Sequence, residues 1–166
     1  MHFYVIIGYF FTAVFGTLSH FLYDCSGKNL FISLVSPINE SVWEHMKLTF
    51  FPILLYVIFL SCIHQAQREF RPLCDALLIG NLIGTLSIPV LFYTYSGILG
   101  HHLLIADILI FLISLLIAFL LAWRWKDAKW IARHRRWIYI FTLFFSLLFF
   151  LFTFYPPAIG LFSDMS

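Results

Sequence analysis

The sequence predicts an all-α protein, a bundle of about five transmembrane helices in one integral membrane domain over residues 1–166. Of these residues, 62% are hydrophobic and 11% are charged, whereas an ordinary soluble domain carries roughly a quarter charged residues. Several apolar runs reach the length of about 20 residues that a helix needs to cross a membrane. Because backbone groups in lipid must be paired within their own segment, continuous runs of this kind form helices. A transmembrane barrel would instead show short strands of alternating polarity.

The elements follow in order along the chain. The five spans are predicted at residues 3–23, 48–63, 73–93, 98–121 and 137–155. Ahead of the second span, Ser36 and Pro37 predict a helix start, since serine is a favoured N-cap and proline suits the first helical position. The apolar piece 30–35 is too short to span, so we expect it to lie at the interface or to re-enter. Pro52 predicts a kink inside the second span. A tight turn over 93–97 is predicted between the third and fourth spans.

The distribution of basic residues predicts the orientation in the cell membrane. Eight of the ten lysines and arginines lie in the connectors after the second and fourth spans, at 64–71 and 123–136. Since short cytoplasmic loops are enriched in these residues, we expect the N-terminus inside and the C-terminus outside. Attraction to anionic membrane lipid also accounts for the basic connectors. We therefore expect membrane lipid, and no nucleic acid, as a partner.

A polar run at 36–47 interrupts the apolar sequence before the second span and contains Glu40, Glu44, His45 and Lys47. On a helix with the predicted start, the two glutamates and the lysine share one face at i, i+4 and i+7 spacing. Under the predicted topology this run lies on the outer side of the membrane. Polar chemistry is therefore expected to gather there.

Two further residues are expected near the same side. His20 lies close to the end of the first span, and Asp107 lies about two turns into the predicted fourth span. A carboxylate at that depth must be paired, protonated or turned toward a wet cavity. Lys47 is the nearest basic candidate by depth, and His20 and His45 are the others.

Histidines together with carboxylates favour a site for a divalent metal such as zinc. The predicted metal ligands are His20, Glu40, Glu44 and His45, and the predicted catalytic residues are Glu40, Glu44, His45 and Asp107. Glu44 and His45 are adjacent, so on a helix they point about 100° apart and one ion would need a donor from a second segment. The chain does not contain the His-Glu-x-x-His pattern of metalloproteases.

Two alternatives to a metal site remain open. The same groups could form a metal-free acid–base site, in which a serine beside a histidine acts as nucleophile. Alternatively, Glu40, Glu44 and Lys47 form an ion network that only stabilises the helix start. His101 and His102 are adjacent and point to different faces, so we expect at least one of them in the headgroup region.

The third predicted span contains Gly80 and Gly84, at the small-xxx-small spacing that lets helices approach closely. A homo-oligomer through this surface is therefore a candidate assembly. Asn81 lies near mid-membrane between the two glycines, and we expect its side chain to hydrogen-bond another helix.

Three segments of the sequence carry a resemblance to a known family. They are residues 36–47 (SPINESVWEHMK), residues 93–100 (YTYSGILG) and Asp107-Ile108. These segments resemble a family of small multi-pass membrane proteins of bacteria, mostly Gram-positive, whose function is uncharacterised. The resemblance implies a cytoplasmic-membrane location and carries over no catalytic residue. The predicted bundle is also loosely similar to membrane hydrolases of the ceramidase and adiponectin-receptor type. Their seven spans and paired-histidine helix have no counterpart in this sequence.

Three functions are compatible with these observations. The leading hypothesis is a metal-dependent membrane hydrolase or ligand-binding protein that acts on a lipid-like substrate, which can reach the site laterally. The second is a small carrier or channel in which Asp107 and Glu44 hold a proton or cation during passage. The third is a non-catalytic partner subunit that packs against another membrane protein.

Overall fold

The computed structural model describes residues 1–63 and 70–164, and within these ranges the regular structure is helical. The α-helices are α1 (His2–Cys25), α2 (Leu30–Ser33), α3 (Val42–Ile63), α4 (Arg71–Leu99), α5 (Leu104–Trp125) and α6 (Lys129–Phe154). A short 3-10 helix, Gly160–Phe162, follows α6. Five of these helices, α1 and α3 to α6, are long and apolar enough to cross a membrane. The predicted all-α bundle with five spans is confirmed. Arg68, part of the predicted basic connector, lies outside the described residues.

The helix start predicted at Ser36 and Pro37 is wrong, because α3 begins at Val42. The Ser41 hydroxyl accepts a hydrogen bond from the backbone N–H of Glu44 at 3.3 Å, as an N-cap does. Before it, the Asn39 side chain accepts from the Ser41 N–H at 3.0 Å and forms a turn. The segment carrying Glu40 is therefore a loop, and its carboxylate does not share a helical face with Glu44.

The turn predicted at 93–97 is also wrong, since α4 continues to Leu99. Gly100 ends the helix in the left-handed conformation, with φ of 76°, and its N–H donates to the Ser96 carbonyl at 2.7 Å. As a result α5 begins at Leu104 and Asp107 lies in its first turn, closer to the helix end than predicted.

Close approach of α4 and α5 depends on the two glycines of the third span. A Cβ atom added to Gly84 would lie 2.7 Å from the Ser114 carbonyl oxygen, and one added to Gly80 would meet the Ala118 carbonyl oxygen. This surface is buried within the chain, so an oligomer formed through it would have to displace α5. Between the glycines, the Asn81 side chain donates to the Phe50 carbonyl of α3 at 3.0 Å, which confirms the interhelical hydrogen bond.

Successive long helices alternate in direction, so the bundle has two distinct ends. We call the end where α1, α4 and α6 finish and α3 and α5 begin the histidine end, because it contains His20 and His45. The opposite end is the basic end, where the His2 and Trp123 rings lie 3.6 Å apart and the Tyr56 hydroxyl donates to the Tyr4 carbonyl. Its described basic residues are Arg71, Arg124, Lys126, Lys129, Arg133, Arg135 and Arg136.

Candidate metal site

At the histidine end, two imidazoles and one carboxylate converge from three segments of the chain. His20 comes from the last turns of α1, Glu40 from the loop before α3, and His45 from the first turn of α3. The Nε2 atoms of His45 and His20 lie 3.3 and 3.7 Å from the same oxygen of Glu40, Oε2. Each residue offers one donor atom, and all these atoms lie within 4.8 Å of one another.

The two separations from Glu40 are close to those between neighbouring donors of a tetrahedral metal ion. Zinc bonds of about 2.0–2.1 Å at tetrahedral angles place neighbouring donors roughly 3.4 Å apart. The observed separations of 3.3 and 3.7 Å between the histidine nitrogens and Glu40 bracket that value. One ion could therefore bind all three donors after small side-chain adjustments.

Hydrogen bonds orient the donors. The Nδ1 atom of His45 lies 2.9 Å from the Ser41 carbonyl oxygen. Since a carbonyl only accepts, Nδ1 donates to Ser41, and Nε2 is the ring nitrogen that faces Glu40. Metal-binding histidines are commonly held this way, with the second ring nitrogen donating to a carbonyl or carboxylate. The loop carrying Glu40 is joined to α1 by a hydrogen bond from the Ser36 hydroxyl to the Ser19 carbonyl.

A glycine brings α1 close enough to α3 for His20 to take part. Gly16 lies one turn before His20, and a Cβ atom there would be 2.5 Å from the Leu48 carbonyl oxygen of α3. The two histidine rings accordingly lie with their centroids 5.3 Å apart. A larger residue at position 16 would separate the two helices that supply the imidazoles.

The cluster is open to its surroundings. The exposed fractions of the side chains are 31% for His20, 25% for His45 and 49% for Glu40. Catalytic zinc sites keep one coordination position for water or substrate beside three protein ligands. A partly exposed set of three donors leaves room for that position.

Glu44 is not brought into this cluster, although it follows the same loop. Its Oε2 atom lies 2.7 Å from the Lys47 ammonium, and the two side chains are only 3% and 0% exposed. Lys47 also donates to the Thr153 hydroxyl of α6 at 2.7 Å and to the Ser33 carbonyl of α2 at 2.9 Å. This buried pair therefore joins α2, α3 and α6.

The Glu44 carboxylate has a second role, in the loop that carries Glu40. Its Oε2 atom accepts a hydrogen bond from the Ile38 N–H at 3.0 Å. Ile38 is two residues before Glu40 in the chain. Glu44 therefore restrains the backbone that presents the third metal donor, without facing the metal position itself.

Asp107 belongs to a separate group of contacts. The Tyr95 hydroxyl donates to its Oδ1 atom, and Nδ1 of His102 lies 3.4 Å from Oδ2. The Leu103 N–H donates to the Tyr95 oxygen at 3.1 Å. The expectation that Lys47, His20 or His45 pairs with Asp107 is therefore wrong, and sequence spacing did not single out Tyr95 or His102 for this role.

A further polar cluster, at the basic end, was missed. Asp75 of α4 is 1% exposed. Its carboxylate accepts hydrogen bonds from Arg135 Nε at 2.7 Å and from the Tyr139 hydroxyl at 2.8 Å. Arg135 and Tyr139 are four residues apart on α6, the spacing that puts two side chains on one face. That spacing, opposite a lone carboxylate in an apolar helix, was the available signal.

By length and composition of its five apolar helices, this is a multi-pass helical membrane protein. The chain belongs to the family of unknown function DUF6512, whose family model matches residues 1–166. The resemblance to an uncharacterised family is thereby confirmed. No curated protein matches the chain, and no solved structure does.

Proposed function

We propose that the chain is a membrane-embedded metalloprotein that binds one divalent ion through His20, Glu40 and His45. Zinc is the proposed ion. The observation that carries this proposal is the convergence of three donors from three segments, at 3.3 and 3.7 Å about one oxygen of Glu40. Two imidazoles and one carboxylate are the protein ligands of well-known zinc hydrolases. The proposed chemistry is hydrolysis.

In this proposal His20, Glu40 and His45 would hold the ion, and the ion would activate a water molecule for attack on a carbonyl or phosphoryl group. The ion would also polarise the oxygen of the bond under attack. The half-exposed Glu40 side chain at the edge of the cluster leaves space for both groups.

The proposed substrate is lipid-like. The cluster lies at one end of a bundle whose outer surface is apolar, with exposed residues such as Leu18 and Phe21 on α1 near His20. An amphiphile held in the surrounding membrane could reach the site laterally with its polar group at the level of the histidines. Under the predicted orientation, this end faces outward from the cell membrane.

The roles of Glu44 and Asp107 differ from direct metal binding. We propose that Glu44 is a positioning residue, since its carboxylate is shared between Lys47 and the Ile38 N–H. Asp107 has a partly exposed carboxylate and is a candidate acid or base for a substrate that extends across the histidine end.

Metal analysis of purified protein tests the proposal. After loading with zinc and removal of excess ion, we expect about one zinc per chain. His20→Ala, Glu40→Gln and His45→Ala should each lower this occupancy strongly, because each removes a donor. His101→Ala is the matched control, since His101 is an exposed histidine at the same end outside the donor cluster, and it should keep full occupancy.

Equal zinc content in the donor variants and in His101→Ala would contradict the metal site. Hydrolysis is tested separately, with fluorogenic lipid esters and phosphoesters in micelles. We expect turnover that is lost with a chelator, restored by zinc and absent in His45→Ala. Stoichiometric zinc without turnover of any substrate would favour a metal-binding protein over a hydrolase.

A carrier is the second candidate function, and the contacts of Asp107 favour it. This carboxylate is 25% exposed and is held by Tyr95 and His102, groups that can exchange protons. Proton- or cation-driven flux into liposomes that disappears in Asp107→Asn would support the carrier. A non-catalytic subunit would instead copurify stably with another membrane protein and show neither flux nor turnover.

A further inference from the structure

A groove lies between α3 and α6, with α4 at its floor. Its volume is about 330 Å³, and most of its lining is apolar, including Val57, Leu78 and Leu143. Tyr139 of α6 lines the same groove and is the residue that donates to Asp75. The groove therefore runs along the membrane-spanning part of the bundle and reaches the Asp75 cluster near the basic end.

Each of two helices that line this groove, α4 and α6, carries an exposed arginine toward the basic end. Arg136 precedes Tyr139 by three residues and Leu143 by seven, which places all three on one face of α6. Arg71 precedes Leu78 by seven residues on α4, in the same relation. Both arginines are exposed. Arg71 and Arg136 therefore extend, toward the basic end, the two helix faces whose residues line the groove.

Among the described residues at the basic end, Arg71 and Arg136 are left without an ion pair. Arg135 pairs with Asp75, and Lys126 pairs with Asp127. Among residues 1–63 and 70–164, no carboxylate forms an ion pair with Arg71 or Arg136. An anion bound there would meet two arginines without having to displace an acidic side chain of the described chain.

The Asp75 cluster does not oppose such an anion. The Asp75 carboxylate is 1% exposed and is neutralised by Arg135, with a further hydrogen bond from Tyr139. The same contacts hold Tyr139 in the groove wall. The partly buried Asp75–Arg135 pair thus joins α4 to α6 beside the groove.

We propose that this groove binds an anionic phospholipid, with one acyl chain between α3 and α6 and its phosphate at Arg71 and Arg136. The groove is mostly apolar, and two arginines lie toward its basic end. A ligand with an apolar chain and an anionic headgroup is complementary to both features. Basic pockets between transmembrane helices bind anionic headgroups in this way. A zwitterionic phospholipid offers the same chain but no net negative charge.

Lipid binding to the purified full-length protein tests the proposal. Native mass spectrometry in detergent would compare retention of added phosphatidylglycerol with retention of phosphatidylcholine of the same chain length. We expect a clear preference for phosphatidylglycerol in the wild type. Arg71→Gln with Arg136→Gln should lower its affinity by about 25-fold, since each basic residue contributes about fivefold near a membrane surface.

Two matched variants separate the groove from general surface attraction. Lys28→Gln with Arg124→Gln removes the same charge from two exposed basic residues that lie on neither α4 nor α6, and it should change the affinity by less than about twofold. Ser146→Phe fills the groove without changing charge and should also lower phosphatidylglycerol retention.

Several outcomes would overturn the proposal. Equal retention of the two lipids would remove the specificity for an anionic head. An equal loss in the two double variants would indicate non-specific attraction to the surface. Full retention in Ser146→Phe would exclude the acyl chain from the groove, and complete competition by glycerol phosphate would indicate a phosphate site without a lipid.

Discussion

Replacing Lys47 with methionine tests whether the Glu44–Lys47 pair supports the fold of the histidine end. Methionine has similar length and is apolar, so Lys47→Met keeps most of the packing and removes the charge. The Glu44 carboxylate would keep its hydrogen bond from Ile38 but lose its buried cation. The Thr153 hydroxyl and the Ser33 carbonyl would lose the donor that reaches them at 2.7 and 2.9 Å.

The expected loss is large because neither partner can be solvated. Lys47 is 0% exposed and Glu44 is 3% exposed, so little water is available to either group. Removing one member of a buried ion pair costs about 3–5 kcal/mol of unfolding free energy, because the remaining charge is uncompensated. Replacing both members by apolar residues is often neutral or stabilising. We therefore expect Lys47→Met to cost about 3–5 kcal/mol and Glu44→Met with Lys47→Met to recover much of that loss.

The assay is reversible unfolding in mixed micelles, monitored by the circular dichroism signal of the helices. Lys28→Met is the matched control, since it removes an exposed lysine at the same end and should change stability by no more than about 0.5 kcal/mol. A cost below about 1 kcal/mol for Lys47→Met, or a double variant that loses as much as the two single variants together, would refute the reasoning.

Two further predictions concern packing and orientation. Gly84→Ala should destabilise the bundle by about 1–3 kcal/mol, because its Cβ would lie 2.7 Å from the Ser114 carbonyl oxygen. Gly97→Ala is the control within α4, since its Cβ meets nothing within 4 Å and alanine favours the helix; micelle unfolding measures both. For orientation, an impermeant thiol reagent added to intact cells should label exposed Cys25 near the histidine end and not exposed Cys62 near the basic end. Labelling of Cys62 alone would reverse the predicted topology.

The number and type of the long helices could be predicted from the sequence because hydropathy directly reflects the solvent around a membrane span. Five apolar runs predict five helices, and the structure has one long helix at each of them. Three of the four predicted metal ligands, His20, Glu40 and His45, also lie together in the structure. Their types and their common end of the bundle were visible in the sequence, since helix direction alternates from span to span.

The local structure of the polar run was harder to predict, because two capping patterns compete within it. Ser36 followed by Pro37 suggests one helix start, while Ser41 followed three residues later by Glu44 suggests another. The structure uses the second, with the Ser41 hydroxyl accepting from the Glu44 N–H. A helix that starts after Ser41 leaves Glu40 in the preceding loop.

The partners of the acidic residues could not be read from depth in the membrane, because depth does not specify which helix face meets which neighbour. Asp107 and Lys47 were expected to lie at similar depth, yet each contacts different residues. A carboxylate in an apolar segment is stabilised by whichever donor the helix packing brings nearby. Tyr95 serves Asp107 because α4 continues past the expected turn, which is a tertiary result.

The two glutamates of the polar run differ in burial, and we propose a structural role for Glu44 and metal binding for Glu40. Glu44 is enclosed, and both its charge and its hydrogen-bonding capacity are used by Lys47 and the Ile38 N–H. Glu40 is half exposed and shares one oxygen between two histidines that approach from different helices. A buried ion pair alone would be weak evidence for function, because it can serve the fold. The open Glu40 carboxylate between two imidazoles contributes little to stability as an exposed ion pair. Glu44 restrains the loop that carries Glu40, through the hydrogen bond from the Ile38 N–H. The structural residue therefore helps to position the proposed metal ligand.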